Sequence, residues 1–316
     1  MSPRITIGFD VGGTSVKAGA IAWDGTVPHM IASCLEETKS FRSVDDFIEW
    51  IIDRTLQWKA ELSNVEAIGI GFPACVQWDT GTVTVPPNIP WWPAHPLPLR
   101  QIIQQHISLP VALDNDANAA AYAECMLGYS RQWRSFLYVT LGTGVGGAIV
   151  LDGHIYRGER GCAGEIGHMV IAADAPARNP LYRTGVLEEY IGRAAIIERT
   201  KALLPSYPTS MLHTGTLDVD RISYAAEQGD EAACRAIQLV AHTFALGLAS
   251  SLALLGLEHV VVGGGISALP KLFYDYVQVV LKQHALPAIA NHVTVVRSEI
   301  GASAGILGAA LLALER

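Results

Sequence analysis

One structural phrase occurs twice in this chain, and it constrains the fold more than any other feature. Residues 7–27 read IGFDVGGTSVKAGAIAWDGTV, and residues 139–155 read VTLGTGVGGAIVLDGHI. Each begins as an apolar strand, breaks at a glycine turn, resumes as a strand and folds back at an Asp-Gly pair: Asp24-Gly25 in the first, Asp152-Gly153 in the second. Asp-Gly between alternating apolar residues is a hairpin signal. Two copies far apart in one chain predict two similar α/β halves rather than a solenoid.

The stretches between the copies fit that plan. Ile5 to Asp10, Val16 to Trp23 and His29 to Leu35 read as strands. Ser43 with Asp46 three residues on starts a helix whose apolar residues (Phe47, Ile48, Ile51, Ile52, Leu56) recur at helical spacing. Val65 to Phe72 is an apolar run closed by Pro73, a buried strand. Thr80 to Pro98 is dense in proline and predicts a loop, because proline lacks the N–H that a ladder or helix needs. A helix over Leu99 to His106 and a strand over Pro110 to Asp114 follow. After the second copy come mostly helices to Leu257, a strand entering the glycines of His259 to Gly265, a strand over His292 to Arg297, and a small-residue helix over Ala302 to Glu315.

Composition removes several classes of function. The chain has 316 residues, enough for two domains, and half are hydrophobic while 16% are charged, so it is not a disordered polymer. The net charge of −8, with no basic run, gives no footprint for nucleic acid. The most apolar stretch, Phe244 to Leu257, is shorter than the roughly 18–20 residues of a membrane span and predicts a buried helix, with no membrane partner. The N-terminus enters a strand directly, with no signal-peptide core. Five scattered cysteines, an odd count, argue against a disulfide framework and a cysteine-rich zinc site, and point to a reduced cytoplasm.

Four segments carry groups suited to chemistry. The glycine turns after Asp10 and Leu141 can offer backbone N–H groups to an anion, with Asp10 able to hold Mg²⁺ through water and Thr14 able to donate a hydroxyl. Two tight hairpins would read the same way, and Lys17 is either a phosphate ligand or a solvated strand lysine. Neither turn is a P-loop, and GTGVGG leads into a strand, which removes the basis of a dinucleotide site. Asn115 and Asp116 stand between a strand and an alanine-rich helix, where a carboxylate can take a proton from an alcohol or simply cap the helix. Glu165 and His168, flanked by Gly164 and Gly167, can bracket adjacent hydroxyls or belong to an ordinary loop. Val260 to Ser267 runs a strand into three glycines on which a flat ligand can lie.

Taken in order, DVGGTSVKAG, NDANAAAYAE, LGTGVGG, GEIGH, VVVGGG and SAGILGAALLA resemble the ROK family (repressors, open reading frames, kinases) along nearly the whole chain. The resemblance implies the actin-like ATPase (ribonuclease H-like) α/β fold, with two α/β domains flanking a cleft. It implies an N-terminal domain of residues 1–114, completed by the helix near 302–316, and a larger C-terminal domain of residues 115–301. It implies ATP-dependent phosphorylation of a hexose or amino-hexose hydroxyl, O6 in a glucokinase-like reaction, with Asp116 as general base. Asn115, Glu165, His168, Glu188 and Asn88 would bind the sugar. Asp10, Gly12, Gly13, Thr14, Gly142, Thr143 and Gly144 would face the phosphates of ATP, with Mg²⁺ at Asp10, and Gly264 and Gly265 would lie against the adenosine.

The chain departs from the family where its members carry CxCGxxGCxE. Aligning GVLE with GCxE puts Asn179, Leu181 and Val186 in place of the three zinc cysteines and leaves His168, often the fourth ligand, without partners. No structural zinc is expected, and Arg178, Tyr182 or Arg183 would support the loop instead. Three rivals remain. Family repressors carry a helix-turn-helix ahead of the first glycine turn, for which Asp10 leaves no room. A non-catalytic sugar or nucleotide sensor would keep the pocket without turnover. A kinase using polyphosphate as donor would need the third glycine turn less. The sugar itself and the choice between monomer and homodimer stay open.

Overall fold

The computed structural model describes residues 3–25, 27–128, 132–175 and 184–315. In chain order the elements are β1 (Arg4–Val11), β2 (Ser15–Trp23), β3 (Pro28–Glu37), α1 (Val44–Glu61), β4 (Val65–Phe72), the short β5 (Val76–Gln77) and β6 (Thr82–Val83), α2 (Leu99–Gln104), β7 (Val111–Asn115) and α3 (Asp116–Leu127). They continue as β8 (Phe136–Leu141), β9 (Val145–Leu151), β10 (His154–Tyr156), α4 (Glu188–Ile191), α5 (Arg193–Leu203), α6 (Val219–Glu227), α7 (Glu231–Leu255), β11 (His259–Gly263), α8 (Lys271–His284), α9 (Pro287–Ala290), β12 (Thr294–Arg297) and α10 (Ala304–Leu312). The chain forms two compact units. One comprises Met1–Gln132, Ile149–Ala163 and Ala302–Arg316, the other Trp133–Ala148 and Gly164–Gly301. The first break follows Gln132 rather than residue 114, because α3 packs on α10 and β4.

The first unit is built on a sheet of order β3-β2-β1-β4-β7. Its β3-β2-β1 half is antiparallel and its β1-β4-β7 half parallel. Side chains alternate across a strand, so neighbouring residues of β1 serve opposite faces. Phe9 meets Trp50 of α1 edge-to-face at 5.9 Å. Gly8 instead takes α10, whose Ile306 carbonyl lies 2.1 Å from where a Cβ would be. The final helix therefore completes the N-terminal half, as the small-residue pattern of SAGILGAALLA requires. Ser43 caps α1, accepting from the N–H of Asp46 as its spacing predicts.

The proline-dense loop is more structured than proline content suggests. It pairs β6 with β5 and bridges Val83 to Leu97. Trp91 and Trp92 turn inward onto Phe41, Phe47 and Phe72, and the Trp91 indole donates to the Thr38 carbonyl at 2.8 Å. Trp92 is buried and Trp91 is half-buried in this cluster.

The second five-stranded sheet has order β10-β9-β8-β11-β12, with β11 parallel to both neighbours. Val260, Val261 and Val262 of β11 are all fully buried, the mark of a strand covered on both faces. Helix α7 extends well ahead of the apolar stretch. By length and composition it could cross a membrane, but it packs among α5, α6 and α8, with Phe244, Leu248 and Leu252 fully buried.

Candidate active site

Three parallel strands of the first unit end side by side. Asp10, Gly71 and Asp114 lie abreast across β1, β4 and β7. In open α/β sheets the carboxyl ends of such strands are where ligands bind. The first glycine turn follows β1 and is closed by the Gly12 N–H on the Ser15 carbonyl at 2.9 Å. Thr38 fastens its outer side, its hydroxyl donating to the Gly12 carbonyl at 2.6 Å. Asn88 reaches the turn from the proline loop, its Cβ 3.6 Å from where a Gly13 side chain would start. Lys17 sits opposite Asp10 on β2 with its Nζ 3.7 Å from Oδ2, so it is an ion-pair partner of that carboxylate. Burial pushes the Asp10 carboxyl up, and Lys17 pulls it partly back. The Asp10 carboxylate is an oxygen ligand of the kind a Mg²⁺ carried mainly by phosphate oxygens takes through water, while the Lys17 ammonium is a competing cation and no ligand.

At the start of α3 one residue caps the helix and the next begins it. Asn115 is the cap: its Oδ1 accepts from the N–H groups of Ala117 and Asn118 at 2.8 and 3.1 Å. Its amide donates to the Ala74 carbonyl at 3.3 Å. Losing such a cap costs about 0.5–2 kcal/mol. Asp116 is the first helical residue, half-buried, and its Oδ1 shares the Ala117 N–H with Asn115, accepting at 2.9 Å. Its Cα stands 3.3 Å from the position of an absent Gly71 side chain, so the turn lies close on β4.

Behind this turn is a pair that spacing could not disclose. Asp114 is 2% exposed; its Oδ1 accepts from the Asn115 N–H and from Asn118 Nδ2, both at 2.8 Å. Its Oδ2 accepts from Arg157 Nε at 2.6 Å. Breaking a buried pair of this kind typically costs about 3–5 kcal/mol. The only signal in sequence was an aspartate in an otherwise apolar strand, with its partner 43 residues away.

In the second unit β8 and β11 are parallel neighbours, with Gly263 opposite Thr140, so their glycine turns lie side by side. The turn after β8 is closed by the Gly142 N–H on the Gly144 carbonyl at 2.9 Å. Gly264 takes a φ of +89° and lies 2.3 Å, measured from its missing Cβ, from the Leu141 carbonyl; only glycine fits there. Gly265 faces open space, and its neighbour Ile266 donates to the Leu141 carbonyl at 3.0 Å. Glu188, at the start of α4, sends its Oε2 to the Val145 N–H at 2.8 Å. Glu165 and His168 stand 4.0 Å apart on a loop carried by a short 3₁₀ turn. Burial raises the Glu165 carboxyl, His168 lowers it, and Glu188 raises it further.

The sequence reading placed zinc cysteines of related chains at Asn179, Leu181 and Val186. The first two, with Arg178, Tyr182 and Arg183, lie outside the described residues. Val186 is buried and pairs with Val170 in a β-bridge. The segment is tied at its base by the Ile171 and Ala172 N–H groups on the Gly185 carbonyl, and Glu189 accepts from the Gly185 N–H at 2.7 Å. Leu187 is fully buried against Gly247 of α7.

One expectation is overturned. The scattered, odd-numbered cysteines argued against a disulfide framework, yet Cys75 and Cys162 are bonded, with Cα atoms 4.9 Å apart at a sequence separation of 87. The reason is a close approach of backbones: a Cβ on Gly161 would fall 1.8 Å from the Val76 carbonyl. Such proximity is a product of the fold and leaves no local motif.

The model of the ROK family matches residues 6–316. This chain belongs to the ROK family. It is 30% identical to the glucokinase of Thermotoga maritima over 98% of this chain and 97% of that one. Among solved structures it resembles a ROK family glucokinase from Streptomyces griseus in complex with glucose and AMPPNP, with a TM-score of 0.83 and 30% identity, covering 99% of this chain and 100% of that one. The ROK hexokinase of Thermus thermophilus is similar at a TM-score of 0.78 and 30% identity, covering 99% of this chain and 98% of that one. The two-sheet α/β architecture is the actin-like ATPase fold of these ROK proteins.

Proposed function

We propose that this ROK family member is a sugar kinase that transfers the γ-phosphoryl group of ATP to a hexose hydroxyl, O6 in a glucokinase-like reaction, with Asp116 as general base. The observation that carries this reading is the placing of two polar side chains at the start of α3. Asn115 caps the helix, and Asp116, one residue on, puts a half-buried carboxylate just past the carboxyl end of β7. Kinship with the glucokinases supports the donor and the substrate class.

The chain's own groups divide the work. The hydroxyl oxygen attacks the γ-phosphorus as the bond from that phosphorus to the bridging oxygen of ADP breaks, and the hydroxyl proton passes to an Asp116 carboxylate oxygen. A positioned base of this kind contributes about 10²–10⁴ in rate. Phosphoryl transfer otherwise needs positioning and charge compensation. With the Gly12 and Gly142 N–H groups closing their turns, the N–H groups of Gly13 and Thr14 and of Thr143 and Gly144 hold phosphate oxygens, and Gly264 and Gly265 give the adenosine a surface without side chains. Mg²⁺, when bound with the nucleotide, offsets phosphate charge, and Asp10 would hold it through water. Glu165, His168, Glu188, Asn88 and the remaining donor of Asn115 select sugar hydroxyls.

The test is ADP release with Mg-ATP across a panel of hexoses, 2-amino and N-acetyl sugars. Sugar-dependent release from one or a few of them is expected. A folded protein that binds a sugar yet releases no ADP with any of them would contradict the reading.

A further inference from the structure

The Arg157–Asp114 pair is unassigned by anything above, and its connections point one way. Asp114 spends one oxygen on Arg157 and the other on the N–H of Asn115 and the amide of Asn118, both in the turn that presents Asp116. Arg157 follows β10 and lines a cavity of about 320 Å³ together with Trp78, Ala112, Leu113, Asp114, Leu312 and Glu315. Its guanidinium lies over the Trp78 ring at 5.2 Å, and its Nη2 is 4.0 Å from Glu315. The arginine is therefore held in place from its far side while it holds the aspartate.

We propose that Arg157 is a positioning residue for phosphoryl transfer. Its guanidinium fixes Asp114, and Asp114 fixes the turn on which Asn115 and Asp116 stand. The proposal rests on the reading of Asp116 as the base. A pair that served folding alone could spend its second oxygen anywhere; this one spends it on the backbone N–H just ahead of the base. Among the described residues the partners of the pair's side chains are Asn115, Asn118, Trp78 and Glu315, none of them in a glycine turn, so the effect falls on turnover and on the sugar. It leaves nucleotide affinity alone.

The experiment compares Arg157→Ala, Arg157→Lys and Asp114→Asn in steady-state kinetics, with melting temperature measured alongside. Arg157→Ala should lower kcat by about 10²-fold, the size expected from a small misplacement of a reacting group. Its KM for ATP should stay within about twofold, because nucleotide binding shares no contact with the pair. The cavity beside residue 157 is roomy enough for free guanidinium, which at millimolar concentration should restore turnover several-fold in Arg157→Ala and leave the wild type unchanged. Arg157→Lys, with charge but no fork, should fall between the two.

Wild-type kcat in a folded Arg157→Ala protein would overturn the proposal. So would a loss that guanidinium fails to relieve and that tracks a lower melting temperature. If the alanine variant does not fold, Arg157→Lys and Asp114→Asn decide: reduced kcat at unchanged ATP KM supports the proposal, and wild-type turnover in both overturns it. The underlying base assignment fails separately, through an active Asp116→Asn, whatever Arg157 does.

Discussion

The Glu188 carboxylate accepts a 2.8 Å hydrogen bond from the backbone N–H of Val145, and the same oxygen lies 2.3 Å from where a side chain on Gly144 would begin. A residue expected to read the sugar is thus bonded to the turn expected to hold phosphate. Gly144→Ala should push this carboxylate aside and raise the KM for both ATP and sugar by about tenfold, the value of one charge-assisted hydrogen bond. Glu188→Gln keeps an oxygen for Val145 and should raise the sugar KM while leaving that for ATP within about twofold. Steady-state kinetics with each substrate varied in turn checks both.

Glu165 carries a cost at neutral pH. Burial raises its carboxyl above the ordinary value, so the folded chain takes up a proton more readily than the unfolded one. Stability therefore falls as pH rises from the unfolded value through the raised one. Glu165→Gln should melt higher than the wild type at pH 7 and equal to it near pH 4, where both side chains are neutral. The same variant should bind sugar less well. A lower melting temperature at pH 7 would contradict this cause. Activity at a site kept less stable than it could be is a familiar trade.

The Cys75–Cys162 bond predicts a labelling pattern. Of the five cysteines, Cys34, Cys125 and Cys234 are free. Denatured without reductant, the protein should take up three thiol labels by mass, and five after reduction. Cys75→Ser should lose about 2–4 kcal/mol under non-reducing conditions and nothing in a reducing buffer. Five labels in both samples would show that the pair stays reduced.

Leu187, the residue just before α4, is fully buried. Leu187→Ala should cost about 2–5 kcal/mol, as expected for a leucine removed from a full contact surface. It should raise the sugar KM more than the ATP KM, because Glu188 is its neighbour. A chelator removed before assay, with Mg²⁺ restored, should leave melting temperature and activity unchanged. A melting temperature lowered by the chelator alone would reveal a structural metal.

The frame was legible because it is written locally. Glycine turns at strand ends, the Asp152-Gly153 hairpin with positive φ at both residues, and the Ser43 cap all follow from neighbours in sequence. The small-residue helix near the C-terminus announces a close approach to a sheet. What stayed hidden is long-range. Asp114 finds Arg157, Cys75 finds Cys162, and Trp91 finds Phe41 only through the folded chain. The cap illustrates the limit: the sequence allowed either Asn115 or Asp116, and geometry chose Asn115 because its side chain lies over the open N–H groups of Ala117 and Asn118.

The most direct measurement pairs turnover with sugar binding in Asp116→Asn, using whichever sugar the wild type phosphorylates best. As a base, Asp116 should be worth about 10²–10⁴ in kcat, and the variant should still bind the sugar within a few-fold by calorimetry, since Asn115, Glu165, His168 and Glu188 are untouched. A folded Asp116→Asn protein turning over at close to the wild-type rate would contradict the account at its centre.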